Sequence, residues 1–297
     1  ALYNVAALAV DGALVGLAAK QNLAGDGIHY EPRWFKPWPT GIVDVFSSPE
    51  GAAIPIGDLV FDIGEARIGF EICEDAWVAE RPGSRLVGRA VDVILNPSAS
   101  HFAFGKAQVR RRFVAEGSRS FGVAYLYANL LGNESGRVIY DGQLLIAEKG
   151  EIIAESTRFS FHDARLLSAT IDLQAGRTAK SRLASHHPSL PAHADPGVVK
   201  RDFPWHFQPA DFQPKHFPIN LTKEEEFTRA VALGLFDYLR KSHSSGYVVS
   251  LSGGADSAAV ACLVKIMRDL AVAELGEHAQ EKLPATDLKQ LLLTAYQ

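Results

Sequence analysis

The run Arg67-Ile68-Gly69-Phe70-Glu71-Ile72-Cys73-Glu74-Asp75-Ala76-Trp77 sets Ile68, Phe70 and Ile72 against Arg67, Gly69 and Glu71, the two-residue period of a strand with one apolar face. Cys73 follows that strand directly, and a helical stretch is predicted from near Asp75. A thiol on such a strand-to-helix turn lies close to N-terminal amides that favour the thiolate. This geometry suits a nucleophile. A buried inert cysteine is the alternative, because free cysteines are among the most buried residues.

Working outward, residues 58–63 pair with 67–72 as a hairpin, and residues 3–10 and 13–19 form another through Asp11-Gly12. After Cys73 come an apolar strand at 91–95, a basic helix at 106–118 and a strand at 123–128. Strand, helix, strand, helix, strand implies parallel crossovers and a layered α/β architecture. Strands at 143–147 and 151–154 join through Lys149-Gly150, and 166–173 closes the region. From 174 to 220 periodicity lapses among prolines, which predicts a linker. Thr222 with Glu225 then caps a helix carrying Phe227, Val231, Leu235 and Leu239, followed by a strand at 247–251, a glycine turn and a helix at 257–275. The expected division is therefore 1–173, a linker 174–220, and a second domain 221–297.

Length alone leaves one and two domains open. With 47% hydrophobic and 22% charged residues, the 297-residue chain has the composition of a globular protein with ample core material. A net charge of −4 supplies no basic footprint for nucleic acid or an anionic membrane, and no apolar run reaches the ~20 residues of a membrane span. Two cysteines, Cys73 and Cys262, make neither a disulfide framework nor a zinc site. His186-His187 has no second ligand pair at metal-binding spacing. The expectation is a soluble, cytoplasmic protein with small-molecule partners.

The segment around Cys73 resembles the nucleophile motif of the nitrilase superfamily, whose members hydrolyse or transfer amides and nitriles through a cysteine thioester. Lys20, in Ala18-Ala19-Lys20-Gln21-Asn22-Leu23, and Glu31, in Tyr30-Glu31-Pro32-Arg33-Trp34-Phe35, match that superfamily's lysine and second-glutamate segments in order and approximate spacing. Amide attack builds an oxyanion that a cation such as Lys20 and backbone amides can stabilise, with Glu31 positioning Lys20 or nearby protons. A surface lysine and a glutamate paired with Arg33 are the structural alternatives. Asn96-Pro97-Ser98-Ala99-Ser100 resembles the substrate-pocket segment, making Ser100 a ligand for the amino-acid head of glutamine. By the same resemblance Lys106 stands where some relatives carry a glutamine-binding arginine; a solvated helix-face lysine is its alternative. Arg110, Arg111 and Arg112 are expected on an exposed or ion-paired helix face, and Tyr140-Asp141-Gly142 in a structural turn.

Ser250, Leu251, Ser252, Gly253, Gly254, Ala255, Asp256 and Ser257 place a glycine turn between strand and helix, where backbone N–H groups can cradle phosphate. The lysine of a Walker loop is absent. Instead Ser252-Gly253-Gly254-Ala255-Asp256-Ser257 resembles the pyrophosphate loop of ATP pyrophosphatases. A serine-capped turn is the alternative.

Together the two halves resemble the glutamine-dependent NAD synthetase family. The implied fold is a nitrilase-like α-β-β-α layered sandwich followed by the start of a Rossmann-like parallel α/β ATP pyrophosphatase domain. The implied substrates are glutamine, ATP and nicotinic acid adenine dinucleotide, with Mg2+ as cofactor and a homo-oligomeric assembly. Cys73 would release ammonia from glutamine, and ATP would activate the dinucleotide carboxylate for amidation to NAD. The family's general-base glutamate precedes the lysine by more residues than the 19 present here, and only about 40 residues follow the phosphate loop. The chain is thus expected to be truncated at both ends and inactive in overall synthesis. A stand-alone carbon-nitrogen hydrolase, a non-catalytic remnant subunit and another ATP pyrophosphatase remain as rivals.

Overall fold

The computed structural model describes residues 1–25, 27–134, 136–184, 195–205, 221–276 and 278–279. The expected opening hairpin forms from β1 (Val5–Val10) and β2 (Ala13–Ala19), antiparallel through Asp11-Gly12. With β3 (Val43–Ser47) and β4 (Ala53–Gly57) it makes a four-stranded sheet in the order β1-β2-β4-β3.

A second sheet carries the run around Cys73. Its strands β5 (Val60–Ile63) and β6 (Ala66–Phe70) form the second expected hairpin, and α1 (Pro82–Gly88) leads to β7 (Val93–Ser98). Next, α2 (Lys106–Phe121) leads to β8 (Ala124–Asn129), so β6, β7 and β8 are parallel as the alternation implied. A separate hairpin, β9 (Leu131–Glu134) with β10 (Val138–Asp141), precedes β11 (Leu144–Glu148) and β12 (Glu151–Glu155). After α3 (Leu173–Ser181), β13 (Val198–Arg201) adds parallel to β5 and completes the order β12-β11-β8-β7-β6-β5-β13.

The two sheets meet through Val10, Ala18, Leu59, Phe61 and Ile63. Gly16 permits this approach, since a Cβ there would lie 2.7 Å from the Phe61 ring. On the opposite face of the larger sheet, Leu86 and Val87 of α1 and Val114 and Phe121 of α2 pack against Ile94, Tyr125, Tyr127 and Leu145. Burial of these apolar side chains is the main stabilising term, at roughly 1.5–3 kcal/mol each.

Helices α4 (Lys223–Ser242) and α5 (Ala255–Leu275) follow, the first capped by Thr222, whose hydroxyl accepts from the Glu225 N–H at 3.2 Å. They pack on each other through Phe236, Met267, Ala271 and Leu275, with Phe161 at the seam. Ala230 and Leu233 of α4 also rest on Leu131 and Ile139 of the β9–β10 hairpin, where Asp237 accepts the Asn133 N–H at 2.6 Å.

Several expectations fail for identifiable reasons. The helix predicted near Asp75 is one 3-10 turn, Cys73–Ala76, and α1 begins only at Pro82, whose fixed φ suits a first helical position. The strand predicted at 247–251 and the closing segment 166–173 join no ladder among the described residues; Leu166 is 91% and Val248 77% exposed, while Tyr247 packs on the α4–α5 core. The stretch expected as an irregular linker, 174–220, holds most of α3 and all of β13 among its described residues. Arg177 of α3 pairs with Asp92 at 2.7 Å, and Lys180 reaches the Val91 carbonyl. Most of the prolines and His186-His187 lie outside the described residues.

Candidate active site

Cys73 opens its turn directly after β6 with a φ of 49°, a left-handed conformation uncommon for a residue bearing a Cβ. Asp75 holds that turn. Its carboxylate accepts the N–H groups of Ile72 at 2.9 Å and Asn22 at 2.8 Å, with Asn22 Nδ2 at 3.0 Å and the Gln21 N–H at 3.2 Å. Burial pushes the Asp75 carboxyl above its ordinary value despite these bonds. The arrangement ties the thiol-bearing turn to the segment beginning at Lys20.

Lys20 follows β2, is 2% exposed, and pairs with the Glu31 carboxylate. Glu31 opens a second 3-10 turn, Glu31–Arg33, and also accepts from the Ala24 N–H at 2.7 Å and Asn4 Nδ2 at 2.9 Å. Burial opposes the Glu31 charge, but the Lys20 and Ala24 hydrogen bonds outweigh it and hold the carboxyl below its ordinary value. The lysine and glutamate therefore form a partly buried ion pair. Arg33, the alternative partner of Glu31, instead lies over the Trp34 ring at 5.1 Å.

Lys20, Glu31 and Cys73 line one cavity of about 700 Å³, together with Ser98, Asn129, Glu134 and Tyr140. A smaller recess shares Cys73 and His29 with it and continues to Glu74, Trp77, Ser100 and Lys106. All five residues expected at the amidase site thus come together. Ser100 is 3% exposed and its hydroxyl has no hydrogen-bond partner among the described residues, an unmet polar group in the same recess as the thiol. Its main chain is fixed from below. Asn129 Oδ1 accepts the Ser100 N–H at 2.8 Å, Asn129 Nδ2 donates to the Ser100 carbonyl at 3.0 Å, and the same Nδ2 lies 2.8 Å from Asp141 Oδ1.

Asp141 in turn binds Arg110 through two bonds of 2.6 and 2.8 Å, both side chains fully buried. Arg110 is therefore on the ion-paired side of the sequence reading, and Arg111 pairs with Glu155. The sequence missed Asp75, Asn129 and Asp141 as supports. Closeness to Cys73 is the available signal for Asp75; the sequence places Asp141 only in a turn.

The candidate phosphate loop lies on other elements, and none of its residues lines the Cys73 cavities. Gly253 has a φ of 82°, α5 begins at Ala255, and Asp256 sits in its first turn. Ser257 Oγ donates to the Gly254 carbonyl at 3.1 Å and lies 3.2 Å from Ser252 Oγ, so the two hydroxyls brace the turn. Residues 250–256 are exposed and Ser257 is half-buried. Among the described residues no cluster of three or more His, Cys, Asp or Glu could hold a metal, and no helix is long and apolar enough to cross a membrane.

Two family models match separate parts of the chain. Residues 2–181 match the carbon-nitrogen hydrolase family and residues 227–282 the NAD synthase family. The glutamine-dependent NAD(+) synthetase of Mus musculus is 32% identical over 98% of this chain and 41% of its own length. That of Saccharomyces cerevisiae is 31% identical over 94% and 41%. The crystal structure of a glutamine-dependent NAD(+) synthetase from Cytophaga hutchinsonii is 40% identical, with a TM-score of 0.72 over 94% of this chain and 38% of that one. The chain spans about two fifths of the length of these relatives. Since the first match covers more than half of the sequence and contains Lys20, Glu31, Cys73, Ser100 and Lys106, the chain belongs to the carbon-nitrogen hydrolase family.

Proposed function

We propose that the chain serves glutamine-dependent NAD synthesis, with residues 1–173 supplying the glutaminase and residues 221–297 beginning the ATP-binding part. The observation that carries the first half is the convergence of Cys73, Lys20 and Glu31 on one cavity whose adjoining recess holds Lys106 and the unmet Ser100 hydroxyl. Cys73 Sγ attacks the side-chain amide carbon of glutamine. The oxyanion that develops is stabilised by the Lys20 ammonium, which Glu31 holds in place. Ammonia leaves, and water releases glutamate from the thioester. Ser100 and Lys106 take the amino-acid head, Lys106 facing its carboxylate.

The second half rests on the Ser252–Ser257 turn and on the relatives named above. Ser252, Ser257 and the N–H groups around Gly253 and Gly254 would hold the pyrophosphate of ATP. Ser250, Leu251, Ala255 and Asp256 complete that loop. Mg2+ would arrive on the phosphates, which supply most of its ligands, with Asp256 as the nearby carboxylate. The carboxylate of nicotinic acid adenine dinucleotide, activated by ATP, would then take the ammonia. The same reading expects a cytoplasmic homo-oligomer.

The test is a separation of nitrogen sources. In the full-length protein, Cys73→Ala should abolish NAD formation from glutamine and preserve it with ammonium salts. Loss of both would contradict two separate sites.

A further inference from the structure

Lys106 is the first residue of α2; two chain segments meet its ammonium and a third backs one of them. Trp77, from the Cys73 turn, presents its ring 5.4 Å from Nζ. His101, next to Ser100, places Nδ1 at 3.3 Å and Nε2 at 3.4 Å from the same nitrogen. His29, from the loop between Lys20 and Glu31, lies with Nε2 2.9 Å from His101 Nδ1, the rings 5.0 Å apart and tilted by 44°.

An ammonium only donates, and a neutral imidazole has one accepting nitrogen. With His101 Nε2 accepting from Lys106, its Nδ1 carries the proton and donates it to His29 Nε2. A lysine is a point charge on a flexible four-carbon stem, without the planar fork by which an arginine orients itself on a carboxylate. Its position must be supplied by neighbours. Here they come from the segments that carry the thiol, the Ser100 hydroxyl and the Lys20–Glu31 pair.

We propose that His101, anchored by His29, is a positioning residue that fixes Lys106 as the group recognising the substrate's α-carboxylate, so that the dyad sets selectivity for amino-acid amides over simple amides. This rests on the glutaminase reading above and deepens it. Neither histidine touches the scissile amide; both act through Lys106. Without His101 the ammonium swings toward solvent along the Trp77 ring, and the carboxylate loses its oriented partner while the thiol keeps its own surroundings.

The test compares two electrophiles: the diazo-ketone analogue of glutamine, and the same diazo-ketone lacking the α-carboxylate. Labelling rates of Cys73 are followed by intact mass in wild type, His101→Ala, His29→Asn, Lys106→Ala and the His101→Ala/Lys106→Ala double variant, with thermal midpoints checking that each folds. The wild type should prefer the carboxylated reagent, and either histidine variant should lower that preference by about ten- to hundredfold, the loss of one charge-assisted contact. His101→Ala should add nothing once Lys106 is gone, an outcome that a merely structural role would not produce. An unchanged preference in both histidine variants, equal slowing with both reagents, or full additivity with Lys106→Ala would overturn the inference. A wild type that discriminates against the carboxylated reagent, or labels with neither, would instead overturn the glutamine reading beneath it.

Discussion

The Asp75 carboxylate accepts the backbone N–H of Asn22 at 2.8 Å, so the turn that presents Cys73 and the segment that begins with Lys20 are positioned by one side chain. Nucleophile and cation come from strands of different sheets, β6 and β2, and Asp75 is where their ends are joined. Asp75→Ala should leave the Asn22 and Ile72 N–H groups without their acceptor, at about 1–3 kcal/mol for each buried group. Cys73 labelling should slow at a temperature where the variant is still folded by circular dichroism. Labelling at the wild-type rate would remove Asp75 from the site.

Lys20→Met keeps the stem and removes the charge. Loss of one preorganised group at the developing oxyanion costs about 10²–10³ in rate. Ammonia release from glutamine should fall by that amount in the full-length protein, with a smaller change in KM. A fall in KM-dependent binding alone would assign Lys20 to substrate affinity rather than to the chemical step.

Asp141 carries a pH dependence. Burial alone would raise its carboxyl, but the Arg110 charge and hydrogen bonds, with smaller contributions from Arg158 and Asn129, hold it below the ordinary aspartate value of 3.8. Because the folded value lies below the unfolded one, its stabilisation is present above pH 3.8 and is lost as pH falls through the lower folded value. Asp141→Asn should therefore flatten the acid limb of a stability–pH curve. At neutral pH it should cost about 3–5 kcal/mol, since Arg110 stays buried without its partner. Urea denaturation at pH 7 and at acid pH checks both.

Gly253, with its φ of 82°, faces no atom of the described residues within 4 Å of an added Cβ, so backbone conformation rather than space is what excludes a branched side chain. Gly253→Val should weaken ATP binding in the full-length protein while Cys73 labelling stays unchanged. Equal loss of both would argue against a division of labour between the two parts.

Much of this architecture was legible because it obeys simple periods. The β6 alternation, the Asp11-Gly12 turn and the Thr222 cap are local signals, and each stands as read. What failed depended on partners distant in sequence. Residues 247–251 have the composition of a strand but no neighbour among the described residues to supply a ladder, while 198–201 had no signal of its own and pairs with β5. The β9–β10 hairpin, gripped by Asp237 of α4, was hidden in a polar stretch. At the site, Cys73, Lys20, Glu31, Ser100 and Lys106 follow from the resemblance of their segments to the nitrilase superfamily. Asp75, Asn129 and Asp141 do not, because their roles run mainly through bonds to residues 12 to 54 positions away in the chain.

The central claim, that Cys73 is the nucleophile of a glutamine pocket, is tested most directly by intact mass after exposure of the chain to the diazo-ketone analogue of glutamine, alongside its Cys73→Ala form. A single adduct, absent from the variant and suppressed by added glutamine, is the predicted result. An adduct that persists in Cys73→Ala, or labelling of Cys73 that glutamine does not suppress, would contradict it.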